Sequence, residues 1–167
     1  MANIHKKTVS SDDVKKTWTK HLASIDLSRL KFLDEKLSRV LQMRINEAGT
    51  CLVAGAPLAT IVLCGSVLEG ILREYASKHR EKFDAYAATV KKKSLEKLSL
   101  KELVDASYKA GLLKRDVKTY GKELVEFRNY IHPHKQVKKG FDPRGYTMEM
   151  CVRTLSEAIN DLGKATK

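Results

Sequence analysis

Several kinds of residue are scarce in this chain, and each scarcity excludes something. There are only three cysteines, Cys51, Cys64 and Cys151, far apart and with no C-x-x-C pair among them. An odd, scattered set does not build a disulfide framework and lacks the paired spacing of a structural zinc site. Such cysteines fit small buried thiols in a reducing compartment. Three prolines and nine glycines in 167 residues are too few for a collagenous or low-complexity chain, and no internal period marks a repeat array. Strand signals are missing as well: no run alternates β-branched with polar residues, and there is no Asn-Gly or Asp-Gly hairpin turn. The familiar signatures of enzymes are absent, with no P-loop, G-x-G-x-x-G, H-E-x-x-H or nucleophile elbow.

Export signals are lacking too. The opening MANIHKKTVSSDD is basic but has no apolar core, so it does not read as a secretory signal. From Ala48 to Leu68 no residue is charged, a length that could cross a bilayer. Yet Gly49, Thr50, Gly55, Pro57, Thr60, Gly65 and Ser66 interrupt it, and a break at Ala54–Pro57 splits it in two. A buried central helix is expected here instead of a span, in a cytoplasmic protein with no membrane partner.

What the chain does have is positive charge and helical periodicity. Thirty-two Lys and Arg face twenty Asp and Glu, for a net charge of +12 and a pI near 9.6. Such a surface attracts phosphate-bearing polymers in a salt-sensitive way. The apolar spacing predicts an all-α fold, more than about two-thirds helical. We expect an antiparallel bundle of four long helices with one or two short ones. Residues 1–22 form an N-terminal extension, with Trp18 as the large anchor of a polar helix from Ser10 to His21. Residues 23–167 form the bundle.

Asp26 is expected to cap a helix striped by Leu27, Leu30, Leu33, Leu37, Val40, Leu41 and Ile45, ending near Gly49. Pro57 opens the next helix, which runs to about His79 with Gly65 permitting close packing. Residues 81–97 read as a basic connection containing Lys91, Lys92 and Lys93. Ser99 and Glu102 make a capping box, and Leu98 with Leu103 the matching staple, for a helix that stops at Gly111. Asp116 caps a helix striped by Val117, Tyr120, Leu124, Phe127 and Ile131, and Pro133 ends it. A loop of Lys and Gly is expected from His134 to Gly145. The last helix starts near Thr147, buries Met148, Cys151, Val152, Leu155, Ile159 and Leu162, and stops at Gly163.

His5, His21 and His79 are isolated and read as solvated. The run Phe127-Arg-Asn-Tyr-Ile-His-Pro-His-Lys135 is different. At 100° per residue Arg128 falls beside the apolar stripe, and His132, at i+4, shares its patch. With Asn129, His134, Lys135, Lys138 and Lys139 close by, an arginine, an amide, two imidazoles and three ammonium groups gather at one helix end. Arginine can grip a phosphodiester bidentately, and histidine exchanges protons near neutral pH. A structural alternative uses the same residues: Arg128 pairs with Glu69 or Glu126, and His132 caps a helix C-terminus. Glu69, the first charged residue after the uncharged run, is expected within reach of the Arg128 patch, orienting it without acting as a catalyst; it needs a cation if buried, and Arg73 one turn on is the local candidate.

With its Arg-Asn-x-x-His-Pro element on a late helix, the chain resembles the HEPN superfamily (higher eukaryotes and prokaryotes nucleotide-binding). The earlier Leu63-Cys-Gly-Ser-Val-Leu-Glu-Gly-Ile-Leu72 and the order of Leu100-Lys-Glu-Leu-Val-Asp, Ala110-Gly-Leu-Leu and Phe127-Arg-Asn-Tyr-Ile-His-Pro add to the likeness, which covers roughly Leu27 to Leu162. The resemblance implies a metal-independent endoribonuclease needing no cofactor, or a non-catalytic RNA-binding or regulatory relative. In active members, the Arg and His of an R-x(4–6)-H motif meet across a dimer interface. Here Arg128 would be the arginine and Asn129 its polar neighbour. His132 follows after three intervening residues, one fewer than that range, and His134 after five, within it. The resemblance further implies a role as toxin or effector in bacterial defence, with an antitoxin or other partner protein. Lys135, Lys138 and Lys139, with Lys91, Lys92 and Lys93, would line the RNA path. A third reading is a purely structural interaction protein whose basic surface is incidental. Two histidines facing each other across a twofold axis would supply the base and the acid that phosphodiester transesterification needs.

Overall fold

A computed structural model describes residues 11–83 and 94–165, without the side chains of residues 11–15 and Trp18. The expectations for His5, for Trp18 as an anchor and for Lys91, Lys92 and Lys93 lie outside what it describes. The fold is all-α. Among the described residues there is no strand, and the helices include α1 (Ser11–Ala23), α2 (Glu35–Val53), α3 (Pro57–Lys78), α4 (Leu100–Lys109), α5 (Arg115–Arg128), α6 (Pro133–Lys139) and α7 (Gly145–Ala165). Short 3-10 turns fill Leu27–Arg29, Leu95–Lys97 and Asn129–Ile131.

Helix α3 is the hub. It touches α2, α4, α5 and α7, and Ile61, Cys64, Val67, Leu68, Ile71 and Leu72 are each wholly buried. A helix packed on so many sides must be apolar around most of its circumference, which is why the uncharged run is there. No helix among the described residues is long and apolar enough to cross a membrane. Pro57 takes the first position of α3, where its missing N–H costs nothing. Gly55, at φ +71°, supplies the left-handed residue that reverses the chain between α2 and α3.

Several boundaries differ from the sequence expectations. Asp26 caps only the 3-10 turn, accepting from the Ser28 amide at 2.9 Å, and Asp34 caps α2 by accepting from Leu37 at 2.8 Å. The leucine stripe is thus cut in two: Leu27 and Leu30 plug the core from the turn, Leu41 and Ile45 from α2, and Val40 is exposed. Helix α2 runs through Gly49 to Val53 because the left-handed stop is at Gly55. At α5 the helix begins one residue before Asp116, which accepts from the adjacent Val117 amide. The capping carboxylate comes instead from α7: the almost fully buried Asp161 accepts the Lys114 amide at 2.9 Å. Helix α7 starts at Gly145 and continues through Gly163, where a Cβ would lie 3.4 Å from that of Arg29. The small residue lets the 27–29 turn pack there. All six apolar residues expected to be buried on α7 are buried.

Other expectations hold. The Ser99–Glu102 capping box closes with Ser99 N–H donating to Glu102 at 2.7 Å, and Gly111, at φ +73°, follows the end of α4. Leu98 and Leu103 are both buried. Helix α1 packs on α2 and α7, with Leu22 buried at its C-terminal end. His79 is not freely solvated: it is half-buried, its ring centroid 4.3 Å from that of Tyr75. His21 is half-buried as well.

Two measurements check this core. Burial pushes the Cys64 thiol up to about 12 and raises that of Cys151 too, whereas Cys51 is half-buried. Raised thiols stay protonated and unreactive, so thiol titration at pH 8 should count one reactive cysteine in the native protein and three in denaturant. Ser99→Ala should cost about 1 kcal/mol in urea unfolding, the usual value of a lost N-cap, with the m-value unchanged.

Candidate functional site

Five residues of α5 define its inward face. Val117, Gly121, Leu124 and Val125 are buried, and at 100° per residue Arg128 falls in the middle of their arc. Arg128 is therefore in line with the apolar stripe, not beside it. The expected stripe members Tyr120 and Ile131 are exposed, at 50% and 52%. Gly121 takes the inward place next to Tyr120, and Ile131 falls in the 3-10 turn, out of phase with the helix.

An arginine can occupy that arc because α3 leaves it room. A Cβ on Gly65 would sit 3.0 Å from Arg128 Cδ and 3.1 Å from Leu124 Cδ2. The arginine stem lies in the groove that this glycine opens, a cation with its methylenes packed and its head toward water. Four residues along α3, Glu69 meets the head: Arg128 Nη1 is 3.0 Å from Glu69 Oε2. The other carboxylate oxygen, Oε1, accepts from Arg73 Nη2 at 2.9 Å. Arg73 also donates to the Glu96 carbonyl at 3.0 Å and the Leu98 carbonyl at 2.9 Å. One carboxylate thus joins two arginines, and one of these is tied to the segment leading into α4. The Gly-Ser-x-Leu-Glu-Gly element has a physical reading: Gly65 seats Arg128, Leu68 enters the core, Glu69 holds the guanidinium, and Gly70 admits Leu41, whose Cδ2 would be 2.9 Å from a Cβ there.

Past Arg128 the chain leaves the α-helix. Asn129 closes α5 and, half-buried, starts the 3-10 turn. His132 is extended, at φ −87° and ψ 111°, as the residue before a proline must be. It does not share a helical face with Arg128. Its N–H reaches the Asn129 carbonyl at 3.3 Å, and its own carbonyl accepts from Lys135 at 2.9 Å and Gln136 at 3.2 Å. Pro133 ends one helix and begins the next, since its fixed φ suits a first helical position. The expected loop from His134 is therefore the helix α6, closed by Gly140 at φ +59°. His132, His134, Lys135, Lys138 and Lys139 are all exposed, and no hydrogen bond or ion pair joins either imidazole to Arg128 or Glu69.

Three aromatic rings fasten α6. Phe141 stacks on Phe127 at 5.0 Å between centroids and lies 4.2 Å from Tyr130. Its amide donates to the Gln136 carbonyl at 3.1 Å, and Gln136 Nε2 donates back to the Phe141 carbonyl. Sequence reasoning passed over Phe141, whose signal was only a lone aromatic after a helix-stopping glycine. It also treated Arg73 as a mere alternative partner of Glu69, when the carboxylate holds both arginines. A groove of about 640 Å³ between α5 and α7 includes Asp116, Tyr120, Tyr146, Glu149 and Arg153 in its lining and no residue of the Arg128 pole. Among the described residues no three His, Cys, Asp or Glu side chains gather as metal ligands.

Set against models of known families, curated proteins and solved structures, the chain matches none. What the site does must come from its chemistry.

Phe141→Ala should loosen α6 selectively. Losing an aromatic stack costs about 0.5–1.5 kcal/mol beyond the lost area. Amide exchange should accelerate at residues 134–140 and stay unchanged in α3 and α7.

Proposed function

We propose that the chain binds RNA at the pole formed by Arg128, His132, His134 and the lysines of α6, and cleaves it as a metal-independent, HEPN-like endoribonuclease acting as a homodimer. The observation that carries this reading is the Arg128 head itself. Its side chain is a little over one-third exposed and forms an ion pair with Glu69, and its guanidinium makes no hydrogen bond to any other described residue. A guanidinium fixed at its stem and open at its head is suited to a phosphodiester. Lys135, Lys138 and Lys139 sit at i, i+3 and i+4 on α6, so they share one face. A phosphate backbone running along that face would meet cations in sequence.

Two features support the dimer. Ile131 and Val137 are 52% and 81% exposed and flank the two histidines in sequence, apolar surface of the kind an isologous contact covers. One Arg-His set also supplies too few proton-transfer groups for the reaction. Facing sets provide an acid, a base and two cations for the developing charge. A toxin or effector role in bacterial defence and an antitoxin partner belong to this same proposal on the resemblance alone, and a place in the cytoplasm on the reading of the sequence.

A second reading is favoured by a specific observation. Neither imidazole is held by a hydrogen bond among the described residues, whereas proton transfer needs fixed geometry. A non-catalytic RNA-binding or regulatory module keeps the pole without that requirement.

Incubation with a mixed RNA pool in EDTA separates the two. The nuclease reading expects fragments from wild type and none from Arg128→Ala, with folding checked by circular dichroism. His132→Ala should lose at least about a hundredfold in single-turnover rate, the low end for removing a general acid or base. His132 takes precedence because its backbone is bonded on both sides; His134→Ala should chiefly weaken binding. Equal rates for wild type and all three variants would mean contaminating nuclease. Salt-dependent binding without cleavage, with log K falling by about 0.7 per neutralised phosphate against log salt, would establish the module.

A further inference from the structure

We infer that Arg73 is a positioning residue of the Arg128 site, the group that stops Glu69 from cancelling Arg128's charge and that fixes Glu69 in place. The inference rests on the reading of this pole as an RNA phosphate site.

Charge bookkeeping at the bridge is simple. Glu69 alone with Arg128 sums to zero, and an anion approaching such a pair gains little. Arg73 brings the trio to +1. Three of its five donors are also engaged: Nη1 goes to the Glu96 carbonyl, and Nη2 to Glu69 Oε1 and the Leu98 carbonyl, all within 3.0 Å. Arg73 therefore acts through Glu69 and does not itself grip phosphate. With Oε1 engaged by Arg73, Oε2 is left for Arg128 alone, and the guanidinium is held by one edge over the groove at Gly65. The two arginines have different tasks, although both sit on the same carboxylate. Arg73 is anchored by the backbone and sets the charge; Arg128 keeps its outer donors for the ligand.

The two neighbours of Arg128 should thus have opposite effects on binding. The test uses the full chain with two probes of one sequence: a 2′-O-methyl RNA, which binds and cannot be cleaved, and the all-ribose RNA for single-turnover rates. Arg73→Gln should weaken binding about threefold to tenfold, as for one partly screened unit charge near the anion. Glu69→Gln should leave binding unchanged or tighter, because a competing anion is gone, while the cleavage rate falls at least about tenfold from misplacement of Arg128. Arg73→Lys should restore binding but not rate, since a point charge cannot satisfy three acceptors at once. Melting temperatures screen out variants that fail to fold. Binding and rate unchanged in both Arg73→Gln and Glu69→Gln would overturn the inference, as would parallel loss of binding in the two. A ligand-free readout separates this from the RNA reading. The Arg128 Nε–Hε resonance, sharp in wild type, should broaden or vanish in Arg73→Gln. If wild type neither binds nor cleaves RNA, the pole's proposed function falls, and this resonance alone decides Arg73: its loss supports the positioning role, and no change refutes it.

Discussion

The Glu69 carboxylate is the constraint on which the basic pole depends. It is one of two acidic side chains, with Glu74, on α3, the helix that the rest of the bundle packs around, and each of its oxygens holds a different arginine. Through Arg128 it fixes the C-terminal end of α5; through Arg73 it ties down the entry to α4. A charged group on a hub helix is expensive unless paired, and here the pairing fastens together three elements, two of which, α4 and α5, are also joined by the Lys122–Asp105 ion pair. Its partial exposure also matters. A bridge open to water contributes modestly to stability, so its value lies in geometry, holding a guanidinium in one place beside a lysine-rich helix.

Glycine makes that geometry possible. Gly65 gives Arg128 its seat, and Gly70, five residues on, admits Leu41 from α2. Together they let α3 approach α5 and α2 closely while Glu69 reaches out between them. Placing glycine inside a helix costs about 1 kcal/mol against alanine; the compensation is close contact on two sides. The same economy of means appears at Pro133, which stops the 3-10 turn by forcing His132 to be extended and then starts α6.

Much of this was legible in the sequence because it is local. The capping box at Ser99, the proline at the start of α3 and the glycine stop at Gly111 are written in neighbouring residues. So is the apolar stripe of α7. The features that were not legible depend on contacts between distant segments. Asp161 caps α5 from another helix, so Asp116 looked like the cap. Gly163 packs against the 27–29 turn, so it looked like a stop. Arg128 looked lateral because the stripe was drawn through Tyr120, whereas the inward arc runs through Gly121, a residue with no side chain to announce itself. At the pole, the sequence brought Arg128 and Glu69 together correctly but gave His132 a helical position that Pro133 forbids. Lys135, Lys138 and Lys139 were read as loop residues, since a seven-residue helix held by Phe141 has no periodicity of its own to detect.

The positive charge of the chain is therefore organised, with Arg128 set by α3 and the α6 lysines set by an aromatic stack. The most direct test of that claim is a map of backbone amide shifts on titrating the protein with 2′-O-methyl RNA. The account predicts shifts concentrated at residues 128–141 and on the Gly65–Arg73 face of α3. Shifts centred instead on Tyr120, Tyr146 and Arg153, with residues 128–141 unmoved, would contradict it.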